Sequence, residues 1–328
     1  MTINNEEDYM TTLLVAKQYI KNFIGKYEIY LKPLMKLTVA LAALMMINGQ
    51  IGYMRRLDDI SIVLIVALMC SFMPMNFIIF VAALFTILHL YALSLECAVI
   101  VMVLFLVMFL LYFRFSPRDT LVVLLTPMCF IFKIPYAMPL AMGLLGTPAS
   151  AVSVGCGITV SYLVGYIADN AASFSGMGME DMVARFRLII DGFLNNKDMF
   201  LTIAAFAFTI IVVYIIRRMS VNYAWTIAII AGALTDVMVL LVGDLMFDTN
   251  VPIGGVIIGS IFSVLIAMVV QFFAFNVDYS RTEKVQFEDD EYYYYVKAIP
   301  KITVATPSRT VKKINASRKR ASGGQPRK

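Results

Sequence analysis

TLVVLLTPMCFIFKIPYAMPLAMGLLGTPASAVSVGCGITVSYLVGYI, residues 120–167, is apolar enough for a bilayer yet interrupted by Pro127, Pro135, Pro139 and Pro148 and by Gly143, Gly146, Gly155 and Gly157. A membrane-spanning helix needs about 20 consecutive apolar residues. Leu121 to Phe132 and Tyr136 to Leu145 each offer roughly half of that, so they read as half-helices. Broken helices at membrane depth persist only where protein or a water-filled cavity satisfies the freed backbone groups, and they point to the binding site of a transporter. A re-entrant hairpin that merely packs gives the same pattern.

The rest of the chain fits that setting. Of 328 residues, 60% are hydrophobic and 15% charged, with a mean hydropathy of +0.81. Charged residues approach a quarter in ordinary soluble domains, so the composition excludes that class. The expected fold is an all-α polytopic membrane protein of eight to ten membrane segments, including broken or re-entrant half-helices. Four regions follow: an amphipathic cytoplasmic segment (1–33), a transmembrane domain (34–276), a Tyr-rich cytoplasmic segment resembling a β-hairpin (277–304) and a disordered basic tail (305–328). The acidic first eight residues lack a basic n-region and an apolar h-region, so no cleavable signal is expected.

In order, Thr11 to Leu34, with Lys17, Lys21, Lys26 and Lys32 among apolar and Tyr residues, suits an amphipathic helix on the membrane surface, or a solvated helix before the first span, that Pro33 would end. Spans are expected at Leu34–Tyr53, Ile60–Phe72, Phe77–Leu93, Leu95–Phe113, Ala149–Ile167, Phe200–Ile216, Tyr223–Leu245 and Val251–Phe275, with an interfacial helix around Met182 to Phe193. Lys and Arg cluster at the N-terminal segment, Arg114/Arg118, Arg217/Arg218 and the tail, which places both termini in the cytoplasm. Arg55 and Arg56 violate that rule. The two halves of the broken stretch count as two segments or none, and the parity is the same.

Several polar residues stand out. Asp236, beside Thr235, falls near the middle of its span, where a carboxylate costs about 2.5–3.5 kcal/mol on insertion scales and marks an ion or proton path or a structural hydrogen bond. It should be buried against the broken stretch. His89 is the only histidine, and a carboxylate such as Glu96 within its reach would make a proton relay; packing is the alternative. Lys133, between the half-helices, meets an anionic solute or snorkels. With Thr126, Pro135, Gly155 and Gly157 these residues form the candidate substrate or ion path. Gly255, Gly259 and Ser263, and Gly157, Ser161 and Gly165, repeat at four-residue spacing as helix-packing stripes, within one chain or in a homo-oligomer.

Four cysteines without a C-x-x-C pair and one histidine leave no metal set, and no phosphate loop, nucleophile elbow or H-E-x-x-H is present. Neither an enzyme nor a cofactor is expected. The last 24 residues carry eight Lys or Arg and no acid. Beside a bilayer, Lys312, Lys313, Arg318, Lys319 and Arg320 read as contacts to anionic lipids rather than to nucleic acid.

The run Phe287-Glu-Asp-Asp-Glu-Tyr-Tyr-Tyr-Tyr-Val-Lys-Ala-Ile-Pro-Lys301, following a final apolar span, resembles the tail of uncharacterised polytopic membrane proteins of Gram-positive anaerobes. The resemblance implies a bacterial plasma membrane and no particular chemistry. Two functions remain: a permease-like protein that binds or moves a small solute or ion, or a membrane scaffold recruiting a cytoplasmic partner through its tail.

Overall fold

The computed structural model describes residues 3–176, 182–249, 252–274, 283–288 and 293–298. The chain divides into two compact units, residues 23–275 and residues 1–22 with 276–328. In the larger unit, α2 (Glu28–Ile51), α4 (Met75–Leu93), α5 (Leu95–Phe115), α8 (Ser150–Asp169), α11 (Lys197–Arg217), α12 (Ala224–Phe247) and α13 (Ile253–Ala274) are each long and apolar enough to cross a membrane. The protein is a polytopic all-α membrane protein. Shorter apolar helices are α3 (Ile60–Phe72), α6 (Thr120–Ile131) and α7 (Ala137–Leu145), and α9 (Ala171–Gly176) and α10 (Met182–Leu194) join α8 to α11.

The first helix break differs from expectation. α1 (Ile3–Lys26) stops at Tyr27, and Pro33 lies inside α2 rather than ending a surface helix. Pro33 is the sixth residue of α2, so the hydrogen bond it forfeits is the one to Ile29, in the first turns of the helix and away from the bilayer centre. Glu28 and Lys32 pair across that same polar turn at 2.6 Å, with both side chains largely exposed.

Contacts fix the helix directions. We call proximal the face where α2 begins and distal the face where it ends. Lys36 Nζ donates to Met73 O at 2.9 Å, tying the start of α2 to the α3–α4 turn on the proximal face. Asn76, at the start of α4, accepts from Tyr112 Oη (3.3 Å) near the end of α5 and from Thr120 Oγ1 at the start of α6. On the distal face, Lys197 Nζ at the start of α11 donates to Phe247 O at the end of α12 (3.0 Å).

The half-helices resolve the parsing of residues 120–167. α6 packs chiefly on α8 and runs parallel to it: Gly157 abuts Thr126, and the Phe130 and Tyr162 rings lie 5.7 Å apart. α7 packs on α11 and α13 and runs parallel to α11, with Tyr136 against Phe206 (5.9 Å) and Gly143 against Val213. Twelve and nine residues rise only about 18 and 14 Å, against a hydrocarbon core of about 30 Å. Phe206 is the tenth residue of 21 in α11, so the α6–α7 tip reaches about mid-depth. The pair is a re-entrant hairpin that enters and leaves by the proximal face; among the described residues seven helices are long enough to run from face to face, and the 13-residue α3 returns the chain between α2 and α4.

At the tip, Lys133 takes a left-handed conformation (φ 59°), a cost of roughly 1–2 kcal/mol for a residue with a Cβ. In the smaller unit, β1 (Glu283–Glu288) pairs antiparallel with β2 (Tyr293–Ala298), with Gln286 opposite Tyr295. The expected Tyr-rich hairpin is therefore present. The basic-tail residues Lys312, Lys313, Arg318, Lys319 and Arg320 lie outside the described residues.

Candidate functional site

Asp236 sits on the face of α12 that packs into the bundle and is 1% exposed. Its neighbours follow from small residues one turn away: a Cβ at Gly232 would strike Val213 on α11 and Leu140 on α7, so α12 approaches both helices closely here. Thr209 Oγ1 of α11 donates to Asp236 Oδ1 at 3.3 Å. Asp236 Oδ2 is buried with no hydrogen-bond partner among the described residues, and the same holds for Ser260 Oγ and Ser263 Oγ on α13. Gln271 Nε2 near the end of α13 donates to Thr226 Oγ1 near the start of α12 (3.2 Å), setting an antiparallel register in which Ser260 falls level with Asp236. One carboxylate and two hydroxyls thus meet the same buried layer without the partners that interior polar groups ordinarily have.

Above that layer lies a cavity of about 110 Å³ lined by Phe130, Pro135, Tyr136, Tyr162, Asp198, Thr202, Phe206, Leu240 and Pro252. Leu240 is one turn from Asp236, and Tyr136 lies within electrostatic range of the Asp236 carboxyl. Asp198 and Pro252, at the distal ends of α11 and α13, form the rim. The re-entrant hairpin borders this space: α6 and α7 stop at mid-depth, their tip is the floor, and a packed core that includes Met199, Leu201, Leu240 and Val256 surrounds it.

The remaining expected path residues are distributed differently. Thr126 is fully buried, but its hydroxyl donates to Val122 O within its own helix (2.7 Å), and Thr235 does the same to Ala231 O (2.7 Å). Pro135 lines the cavity, whereas Lys133 is exposed at the tip and is not among its lining residues. A Cβ at Gly155 would meet Ile203 at an ordinary 3.6 Å, while one at Gly157 or Gly259 would clash with Thr126 or Tyr136. A Cβ at Gly165 would meet open space, Gly255 is exposed, and Ser161 borders a second, apolar cavity of about 100 Å³ among α2, α4, α5, α6 and α8. That second space has almost no polar lining beyond Gln50, Thr86, Tyr112 and Ser161, and lies apart from Asp236.

His89 and Glu96 do not pair with each other. His89 is fully buried, accepts from the Met54 backbone N–H at Nδ1 (3.2 Å), and therefore donates from Nε2 to Asn48 Oδ1 (2.9 Å). Asn48 Nδ2 donates onward to Leu57 O at 2.8 Å, so the network closes the α2–α3 turn over α4. Glu96, at the start of α5, takes Arg185 of α10 instead, at 3.3 Å. This ion pair anchors the helix expected to lie at the interface, whose Gly192 is pressed against the Tyr166 ring of α8.

Two residues escaped the sequence reading. Asn48 gave no signal beyond being polar inside an apolar run. Arg217 read only as part of a basic loop. Its guanidinium caps the orphan carbonyls at the end of α7, with Nη1 donating to Leu144 O and Nη2 to Gly146 O (2.7 Å), and it lies 5.0 Å from the Tyr214 ring centre. No side-chain pattern along one helix announces a partner on another. Comparison with protein-family models, with curated proteins and with solved structures gives no match.

Proposed function

We propose that this integral membrane protein is permease-like, binding or moving a small solute or ion through the distal cavity and the Asp236 layer. The observation that carries the reading is the unpaired, fully buried Asp236 Oδ2 behind a cavity that a re-entrant hairpin holds open. A membrane carboxylate costs several kcal/mol to bury, and a purely structural one would have both oxygens bonded. In this reading the proximal face, which carries Arg114, Arg118, Arg217 and Arg218, is the cytoplasmic side of a bacterial plasma membrane, and the cavity opens outward.

The test is flux. In proteoliposomes holding a pH-sensitive dye, an imposed membrane potential should drive proton-coupled or cation uptake by the wild-type protein, and Asp236→Asn should abolish it while leaving the folded fraction unchanged. Equal flux in both proteins removes Asp236 from any path. A scaffold role has one observation behind it, the two-stranded β1–β2 hairpin, since a hairpin of that size is marginal alone and both its outer edges can accept a further strand.

A further inference from the structure

The cavity above Asp236 has walls that specify a ligand chemistry. Four of its lining residues are aromatic and lie in a continuous series: Tyr162 to Phe130 at 5.7 Å, Phe130 to Phe206 at 6.3 Å and Phe206 to Tyr136 at 5.9 Å between ring centres. The Tyr162–Phe130 and Phe206–Tyr136 pairs are near perpendicular, at 72° and 71°, edge to face rather than stacked. They come from α6, α7, α8 and α11, and only the stopping of the re-entrant hairpin at mid-depth brings them to one level. Both acidic groups near the space, Asp198 on the rim and Asp236 below Leu240, are carboxyls, and no Lys or Arg is among the lining residues. The polar groups at the distal side already have partners within the wall: Tyr162 Oη donates to Thr202 Oγ1 (3.1 Å), and Thr202 Oγ1 donates to Asp198 O (2.7 Å). What the wall offers a ligand is aromatic surface and negative charge.

We infer that this cavity is a binding site for a small organic ammonium ion, held by the Phe130, Tyr136, Tyr162 and Phe206 rings with Asp198 at its mouth. Aromatic rings attract a cation through their negative faces, and desolvated aromatic enclosures are the usual receptors for alkylated ammonium groups. A bare metal cation would need several oxygen ligands that the aromatic walls do not supply. The volume agrees: an apolar cavity of about 150 Å³ holds benzene with its six heavy atoms, and the 110 Å³ here suits an ammonium head of four or five. The inference rests on the proposed solute path and gives it a substrate class. Asp236, one turn past the lining residue Leu240, is the next anionic group such a cation, or a proton exchanged for it, would meet.

The experiment uses the full-length protein purified in lipid nanodiscs, with tetramethylammonium as the probe and tert-butanol as an uncharged molecule of equal heavy-atom count. Thermal unfolding should shift upward with tetramethylammonium chloride beyond the shift given by equal sodium chloride, and tert-butanol should give no saturable shift. Phe206→Leu should weaken the apparent affinity about tenfold, the loss expected for one desolvated cation–ring contact. Asp198→Asn, which keeps the shape of the side chain at the rim, should weaken it several-fold with a smaller salt dependence, and Tyr162→Phe, which keeps its ring, should bind as wild type. Equal shifts from tetramethylammonium and sodium, equal binding of tert-butanol, or wild-type affinity in both Phe206→Leu and Asp198→Asn would each overturn the inference. Proton or cation flux that requires Asp236 in a protein that does not bind tetramethylammonium would leave the transport reading standing and remove this one. Binding of the probe in a protein whose flux ignores Asp236→Asn would do the reverse.

Discussion

His89 and Asp236 are both buried ionisable side chains inside apolar helices, and their surroundings differ in kind. Both His89 ring nitrogens are bonded, to Asn48 and to the Met54 backbone, and Asn48 is bonded in turn to Leu57. Asp236 has one long bond from Thr209 and an oxygen with none, and two serine hydroxyls of α13 at a similar depth are in the same condition. The first cluster is closed and reads as a fastening. The second is open, and each unpaired polar group in it carries a cost at membrane depth that the first cluster avoids.

Opposite responses to truncation would sharpen that difference. His89→Leu should cost the most, about 2–5 kcal/mol, because it strands the Asn48 carbonyl and the Met54 N–H in a buried site; denaturant titration in mixed micelles measures it. A loss below about 0.5 kcal/mol would mean the fastening is redundant. Arg217→Met should follow at roughly 2–3 kcal/mol, since it uncovers the Leu144 and Gly146 carbonyls that end α7, and proteolysis near Thr147 should accelerate with it. Glu96→Gln should cost about 1–3 kcal/mol by removing one charge of a pair enclosed between α5 and α10. Smallest of all, Asp236→Leu should change stability by less than about 1 kcal/mol, or raise it, because it removes a group with little to lose. A loss as large as that of His89→Leu would erase the contrast.

Much of this architecture was legible in the sequence because apolar length is a local property. The spans around Leu95 and Phe200 and the two half-helices fall within a few residues of where composition put them, and Met182 to Leu194 is helical as its spacing required. Pro33 misled because the cost of an interior proline depends on where in a helix it falls, and the true break at Tyr27 has no strong local marker. Asp236 could be singled out from hydropathy alone. Its open oxygen could not, nor could the exchange of partners that gives His89 to Asn48 and Glu96 to Arg185, since these depend on which helices become neighbours. The aromatic walls were hidden for the same reason: Phe130, Tyr136, Tyr162 and Phe206 are unremarkable within their own segments and meet only in three dimensions.

The re-entrant hairpin also bears on how the chain is made. α6 finds its main partner, α8, almost at once, but α7 packs on α11 and α13, and the last of these ends at Ala274, 129 residues after Leu145. At about 5–20 residues per second, roughly 6–26 s of synthesis separate the emergence of α7 from that of its full set of neighbours. During that interval nine residues too short to span the bilayer, with their terminal carbonyls still waiting for Arg217, have no native place to rest. The cavity they will floor therefore cannot exist until the final helix has been inserted, so a chain stalled before α13 would be threaded through the membrane and yet have no site.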